Sequence, residues 1–306
     1  MIIDGGSSLR IAIFSGYAIL ASNPIFLMRL LKKSFVLLLG VIFLISGSPK
    51  PITWVAIGDS ITYLNDHSNE AGNRITKGYL TWIKEKFPSL EVINKGYNGW
   101  TAVRIAEEFA KLEIPKAEVY SIFLGTNDWW RGNPLGTIQE YKNASGTTTV
   151  AGSFREIVNQ IRSLNPEAQI ILITPMKRVD FVYINNYKNN ALGSYRDKNG
   201  QSLESFSALL KEISQLEGME LVDLYHQKGM DHADLVKYKR LKDPATGEYK
   251  NFPYPDFIDV PFDPEKDEYP YPVESIDVTY DGLHPSDLGY RMIAKELVPV
   301  FRRIMK

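Results

Sequence analysis

Ile52-Thr53-Trp54-Val55-Ala56-Ile57-Gly58-Asp59-Ser60 is the stretch on which the reading of this chain turns. Residues Ile52 to Ile57 form a short, nearly continuous apolar run, the pattern of a strand buried on both faces. Gly58 permits a tight turn at its end. Ser60 then stands where a strand hands over to a helix. At such a turn a hydroxyl projects from the edge of a sheet, beside backbone N–H groups that the turn leaves unpaired.

Downstream, apolar runs alternate with amphipathic stretches. Leu90–Ile93, Val119–Leu124, Ile170–Ile173 and Met219–Val222 read as further strands. Tyr79–Phe87, Ala102–Leu112, Phe154–Leu164, Ser205–Leu216 and Leu288–Ile304 read as helices, with Phe154, Ile157, Val158 and Ile161 at helical spacing. Strands alternating with helices imply right-handed βαβ crossovers and a parallel sheet covered on both faces. The expected fold is α/β: a three-layer α/β/α sandwich with a flavodoxin-like five-stranded parallel sheet, plus long loop insertions. Two segments break the alternation, near 177–202 and 237–279. Between Tyr249 and Tyr280 the second holds eight aromatics and six prolines, which excludes regular helix and central strand. Loops of this length in a compact domain are functional or disordered, and the aromatic density argues against disorder.

Three further motifs follow strand ends or precede the last helix. Asn94-Lys95-Gly96-Tyr97-Asn98-Gly99 follows the second strand. A glycine here brings its N–H close to a ligand without a side-chain clash, and Gly96 and Gly99 both meet that need. Gly125-Thr126-Asn127-Asp128 follows the third strand. The Asn127 amide donates a hydrogen bond without adding charge, which suits an oxyanion site; an Asx turn at Asn127 or a helix cap at Asp128 is the structural alternative. Asp281-Gly282-Leu283-His284-Pro285 precedes the last helix. Three residues apart, Asp281 can orient the His284 Nδ1 and leave Nε2 facing the serine. The other histidines, His67, His226 and His232, lack such surroundings. His226, Asp231, His232 and Asp234 match no standard metal spacing and read as a solvated loop. Trp100, Trp129 and Trp130 lie beside these motifs, and for Trp100 packing is at least as strong a reading as a place at the cleft. Trp129 and Trp130 cannot both enter one core, which places one near the cleft.

The order Gly-Asp-Ser, Asn-x-Gly-x-x-Gly, Gly-x-Asn-Asp and Asp-x-x-His resembles the SGNH hydrolases, also called GDSL esterases and lipases, over residues 52–302 apart from the two insertions. The resemblance implies Ser60 as nucleophile, His284 as general base and Asp281 as the carboxylate orienting it. It implies an oxyanion hole from the Ser60 N–H, the Gly99 N–H and the Asn127 amide, with Asp59 structural. No metal or organic cofactor is then needed. The long aromatic insertion departs from the minimal family core and leaves the substrate class open. The family implies carbohydrate acetylesterases, lysophospholipases, thioesterases and arylesterases as alternatives. Aromatic and polar insertions without an obvious apolar lid favour short acyl, above all acetyl, esters on a small molecule or polysaccharide. A lipid-directed esterase, an acyltransferase and a non-catalytic carbohydrate-binding module are the competing readings.

The chain of 306 residues has no cysteine, which excludes disulfides, thiolate metal sites and a lipoprotein anchor. Arg29, Lys32 and Lys33 precede the apolar run Phe35–Ile45 and the small residues Ser46, Gly47 and Ser48, the layout of a bacterial secretory signal peptide. The run is too short to span a bilayer comfortably. Residues 1–48 are read as an N-terminal extension and signal peptide, with Met28 as the true start, and 49–306 as the hydrolase domain. Export to the periplasm or exterior follows, with no stable membrane anchor after cleavage. Loss of 1–48 leaves 31 basic and 35 acidic residues, net −4, which disfavours nucleic-acid binding. Oligomeric state is not legible. Mass spectrometry of the native precursor should yield no peptide containing Ile11–Ser15; finding one contradicts the start at Met28 and favours a membrane hairpin of Ile11–Phe26 with the second apolar run.

Overall fold

Residues 51–306, and before them Met28 alone, are what the computed structural model of the protein describes. Apart from Met28, the leader read at 1–48 therefore falls outside the described residues. In chain order, β1 (Ile52–Gly58) runs through Asp59 into the one-turn helix α1 (Ser60–Tyr63), and α2 (Tyr79–Lys86) precedes β2 (Leu90–Gly96). Next come α3 (Ala102–Glu108), β3 (Val119–Phe123), α4 (Thr126–Arg131), α5 (Ile138–Lys142), α6 (Val150–Leu164) and β4 (Gln169–Ile173). A hairpin of β5 (Phe181–Tyr183) and β6 (Asn186–Ala191) leads to α7 (Leu203–Glu217) and β7 (Glu220–Val222). A second hairpin, β8 (Lys239–Lys242) and β9 (Tyr249–Phe252), precedes the closing helix α8 (Asp287–Ile304).

The five-stranded sheet has the order β2-β1-β3-β4-β7, parallel throughout. Alternation along each strand divides the core in two. Trp54, Ala56, Val119, Phe123, Ile171 and Ile173 pack on one face with Tyr79, Leu80 and Ile83 of α2 and Tyr290, Ile293 and Leu297 of α8. Val55, Ile57, Tyr120, Ile122, Ile170 and Leu172 pack on the other with side chains of α3, α6 and α7. These strands have no solvated face, which is why they read as apolar runs rather than as alternation. On the inner strand β3, Ser121 accepts a 2.9 Å hydrogen bond from the fully buried Trp54 Nε1.

Departures from the sequence reading have local causes. α6 begins at Val150, four residues before the apolar periodicity, because the Thr149 side chain caps it by accepting from the Gly152 N–H. The helix expected over Ala102–Leu112 tightens to 3₁₀ at Phe109–Leu112. α4 and α5 are too short for periodicity to reveal, and only the capping box of Thr137 and Glu140 marks α5. Both insertions contain antiparallel hairpins, and neither joins the main sheet. Among the described residues no helix is long and apolar enough to cross a membrane.

In the sheet register, Gly58 pairs with Gly96 on one side and Phe123 on the other. The carboxyl ends of β2, β1 and β3 thus lie level, and the three loops that leave them converge on one edge. This edge is where ligand sites form in open α/β sheets.

Candidate active site

Local packing leaves Ser60 little freedom. Asp59 caps α1: its Oδ1 accepts from the Ile61 N–H at 3.0 Å. A Cβ on Gly58 would overlap the Thr62 side chain, and one on Gly96 would overlap the backbone N of Tyr63. Bare backbone at the ends of β1 and β2 is therefore what lets α1 sit against the sheet. Ser60 is the first residue of α1, so its N–H has no intrahelical acceptor.

His284 reaches this serine from the far end of the chain. Its Nε2 lies 2.8 Å from Ser60 Oγ, and its Nδ1 lies 2.7 Å from Asp281 Oδ2. An ionised carboxylate only accepts, so Nδ1–H donates to Asp281 and Nε2 is left to accept from the serine hydroxyl. The other Asp281 oxygen accepts the backbone N–H groups of Leu283 at 3.0 Å and His284 at 2.7 Å. Asp281 is fully buried and His284 is 6 % exposed. The turn depends on Gly282 at φ +90°, where a Cβ would overlap the carbonyl of Asp180. A hydroxyl, an imidazole and a carboxylate in hydrogen-bonded series can activate the hydroxyl as a nucleophile.

The two remaining loops complete the edge. Gly99, at φ +70°, lines the same cavity as Ser60 and His284, whereas Gly96 ends β2 and is packed under α1. Gly99 is thus the glycine of the pair that faces the cavity. Asn127 also lines it, held by a 3.0 Å bond from its Nδ2 to the Trp100 carbonyl. The buried Asp128 is not the cap of its own helix, whose N-cap is Gly125 with no side-chain hydrogen bond. Its carboxylate accepts the N–H groups of Ala102 at 2.8 Å and Val103 at 3.4 Å, which ties α4 to the first turn of α3. Burial pushes the Asp128 carboxyl up, against the hydrogen bonds that lower it.

The cavity measures about 490 Å³. Sequence reasoning placed Ser60, Gly99, Asn127 and His284 there but missed Glu70, Asn98, Arg178, Phe181, Tyr183 and Asn189, which also form its walls. Only the existence of the 177–202 insertion hinted at the last four. Trp130 lines the cavity, whereas Trp129 is buried and donates from Nε1 to the Gln201 carbonyl at 2.9 Å. Trp100 stacks on Tyr97, with Arg104 over its outer face. The aromatics of 237–279 do not line the cavity. Residues of this segment instead brace the β5–β6 hairpin and the residue before it: Tyr269 donates to the Val182 carbonyl at 3.0 Å, Tyr271 to the Asp180 carbonyl, and Lys239 to Asp180 Oδ2 at 2.8 Å. The second insertion thus supports the first, and the first forms the wall. Tyr271 and Tyr280 are buried in the core, where burial raises their hydroxyl pKa well above the ordinary value.

The remaining histidines are occupied elsewhere. His67 stacks on Tyr63, His226 contacts Asp223, and His232 Nε2 meets the Ser194 hydroxyl at 2.9 Å. Among the described residues no cluster of three or more His, Cys, Asp or Glu is arranged to hold a metal.

The model of the GDSL-like lipase/acylhydrolase family matches residues 56–292, and the chain belongs to that family of ester-hydrolysing enzymes. It is similar to the crystal structure of a possible lipase from Chitinophaga pinensis DSM 2588, at 55% identity and TM-score 0.82, over 83% of this chain and 98% of that one. A protein from Lactobacillus plantarum shares the fold at 20% identity and TM-score 0.52, over 84% of this chain and 99% of that one. No curated protein matches the chain.

Asp59 yields a prediction. Burial pushes its carboxyl up to about 6, with the Ile61 N–H and His284 opposing. A raised acid favours the folded state at low pH, and that contribution is lost as pH rises from about 4 through about 6. Asp59→Asn keeps an acceptor for Ile61 and cannot ionise. Relative to wild type it should gain stability between pH 4 and pH 7, by up to about 3 kcal/mol. Urea unfolding at the two pH values measures this, and a pH-independent difference contradicts it.

Proposed function

We propose that the protein is an exported serine esterase that removes short acyl groups, above all acetyl, from carbohydrate esters. The carrying observation is the 2.8 Å contact between His284 Nε2 and Ser60 Oγ, in series with the 2.7 Å contact to Asp281. His284 takes the hydroxyl proton as Ser60 attacks the ester carbonyl. The oxyanion is received by the N–H groups of Ser60 and Gly99 and by the Asn127 amide. Protonated His284, held by Asp281, hands its proton to the departing alcohol, and water repeats the sequence on the acyl-enzyme.

The short-chain reading is supported by the cavity. Glu70, Asn98, Asn127, Asn189 and Arg178 are poor walls for a long alkyl chain, while they and the Trp130 ring suit a sugar. Export is supported by the leader read at 29–48. A lipid-directed esterase is the second reading, favoured by the apolar patch of Phe181, Ala191 and Leu283 beside the site and by the description of the Chitinophaga pinensis relative as a possible lipase.

The test is hydrolysis of 4-nitrophenyl acetate, butyrate and octanoate. Acetate should be fastest, Ser60→Ala should lose at least about a thousandfold, and Asn127→Ala about 100- to 1,000-fold in kcat. Fastest hydrolysis of octanoate moves the assignment to lipids. No hydrolysis by the folded protein contradicts the esterase reading.

A further inference from the structure

Arg178 lines the cavity beside Ser60 and His284, yet only 1 % of its surface is exposed. Its Nε and Nη2 are buried with no hydrogen-bond partner among the described residues. Aromatic rings surround the guanidinium: Trp130 at 5.3 Å, Trp129 at 5.7 Å and Phe181 at 5.9 Å. Their faces attract a cation but do not replace the missing oxygen acceptors.

The nearby carboxylates are committed. Asp281 accepts from Leu283, His284 N–H and His284 Nδ1, and Asp180 from Lys239, Tyr195 and the Gly193 N–H. The other charged groups of the cavity are also engaged. Glu70 accepts from the Tyr63 hydroxyl at 2.8 Å and the Asn98 amide at 3.4 Å, and Arg131 donates to the Gly99 carbonyl at 3.0 Å. Burial lowers the Arg178 pKa to about 10, with Asp281 and Asp180 opposing, so the group stays cationic at neutral pH. A buried guanidinium with idle donors is costly, and such a cost is commonly retained where a ligand completes the hydrogen bonding.

We infer that Arg178 binds a carboxylate carried by the ester substrate, so that the natural substrates are acyl esters of an acid-bearing molecule such as a sugar acid. This rests on the esterase reading and specifies its substrate class. A planar carboxylate matches the guanidinium fork. A dianionic phosphate suits the site less well, because Glu70 lines the same cavity and the charges of Asp281 and Asp180 already act on Arg178.

The experiment uses two matched pairs: 4-acetoxybenzoate against its methyl ester, and 4-nitrophenyl hemisuccinate against 4-nitrophenyl butyrate. In at least one pair the wild type should prefer the acid about tenfold or more in kcat/KM, mainly through KM. Arg178→Gln should lower that acid-to-neutral ratio by about 10- to 100-fold, whatever happens to the absolute rates. Arg178→Lys should restore part of it. A wild-type ratio at or below one in both pairs, or a ratio unchanged in Arg178→Gln, overturns the inference; a residue that only positioned Asp281 would slow both members alike. If the variants do not fold, inhibition of wild-type 4-nitrophenyl acetate hydrolysis decides. Benzoate should compete and benzamide should not, and equal inhibition overturns the inference. If no ester is hydrolysed, the esterase reading fails on its own. Tryptophan fluorescence, to which Trp129 and Trp130 contribute among five tryptophans, then tests the carboxylate site: a saturable change with benzoate but not benzamide supports it, and no benzoate-specific change overturns it.

Discussion

The 2.8 Å contact between His284 Nε2 and Ser60 Oγ joins residues 224 positions apart, and much of the domain serves to hold its two ends. One end is fixed by the parallel sheet. β1 delivers Ser60 to the carboxyl edge, and the bare backbone of Gly58 and Gly96 allows α1 to pack there. The other end is fixed by the Asp281–His284 turn. Its carboxylate satisfies two backbone donors and one ring donor at once, which orients the imidazole without help from solvent.

That turn is itself held from outside. The Val179 N–H donates to the Gly282 carbonyl at 3.0 Å, and Tyr271 ties down the neighbouring Asp180 carbonyl. Both insertions therefore bear on the same four residues. The first adds the β5–β6 wall, and the second braces that wall through the buried Lys239–Asp180 pair and the Tyr269 hydroxyl. Variation in these insertions can reshape the cavity while the sheet-edge chemistry stays in place, the usual division between a rigid scaffold and its functional loops.

The sheet was legible because its inner strands are buried on both faces and its long helices are periodic; only their ends moved, at caps such as Thr149. The Ser60, Asn127 and His284 neighbourhood was legible because each lies directly after a strand end or before the last helix. The choice of Gly99 over Gly96 came only from the family resemblance, since spacing alone carries no backbone angle or packing. Arg178 escaped notice because Lys177-Arg178 looks like a solvated basic pair, and only the three-dimensional placement of Trp129, Trp130 and Phe181 around it reveals a buried cation. The aromatics of 237–279 read toward the substrate; in the fold many are consumed in packing, with Phe257 and Tyr271 buried in the core.

The most direct test of the central claim, that His284 and Asp281 activate Ser60 as a nucleophile, is covalent labelling with a fluorophosphonate followed by peptide mass spectrometry. One label per chain on Ser60, greatly slowed in His284→Ala and absent after unfolding in urea, is the result expected. Label on another residue, or none on Ser60 while the protein still hydrolyses esters, would contradict the account.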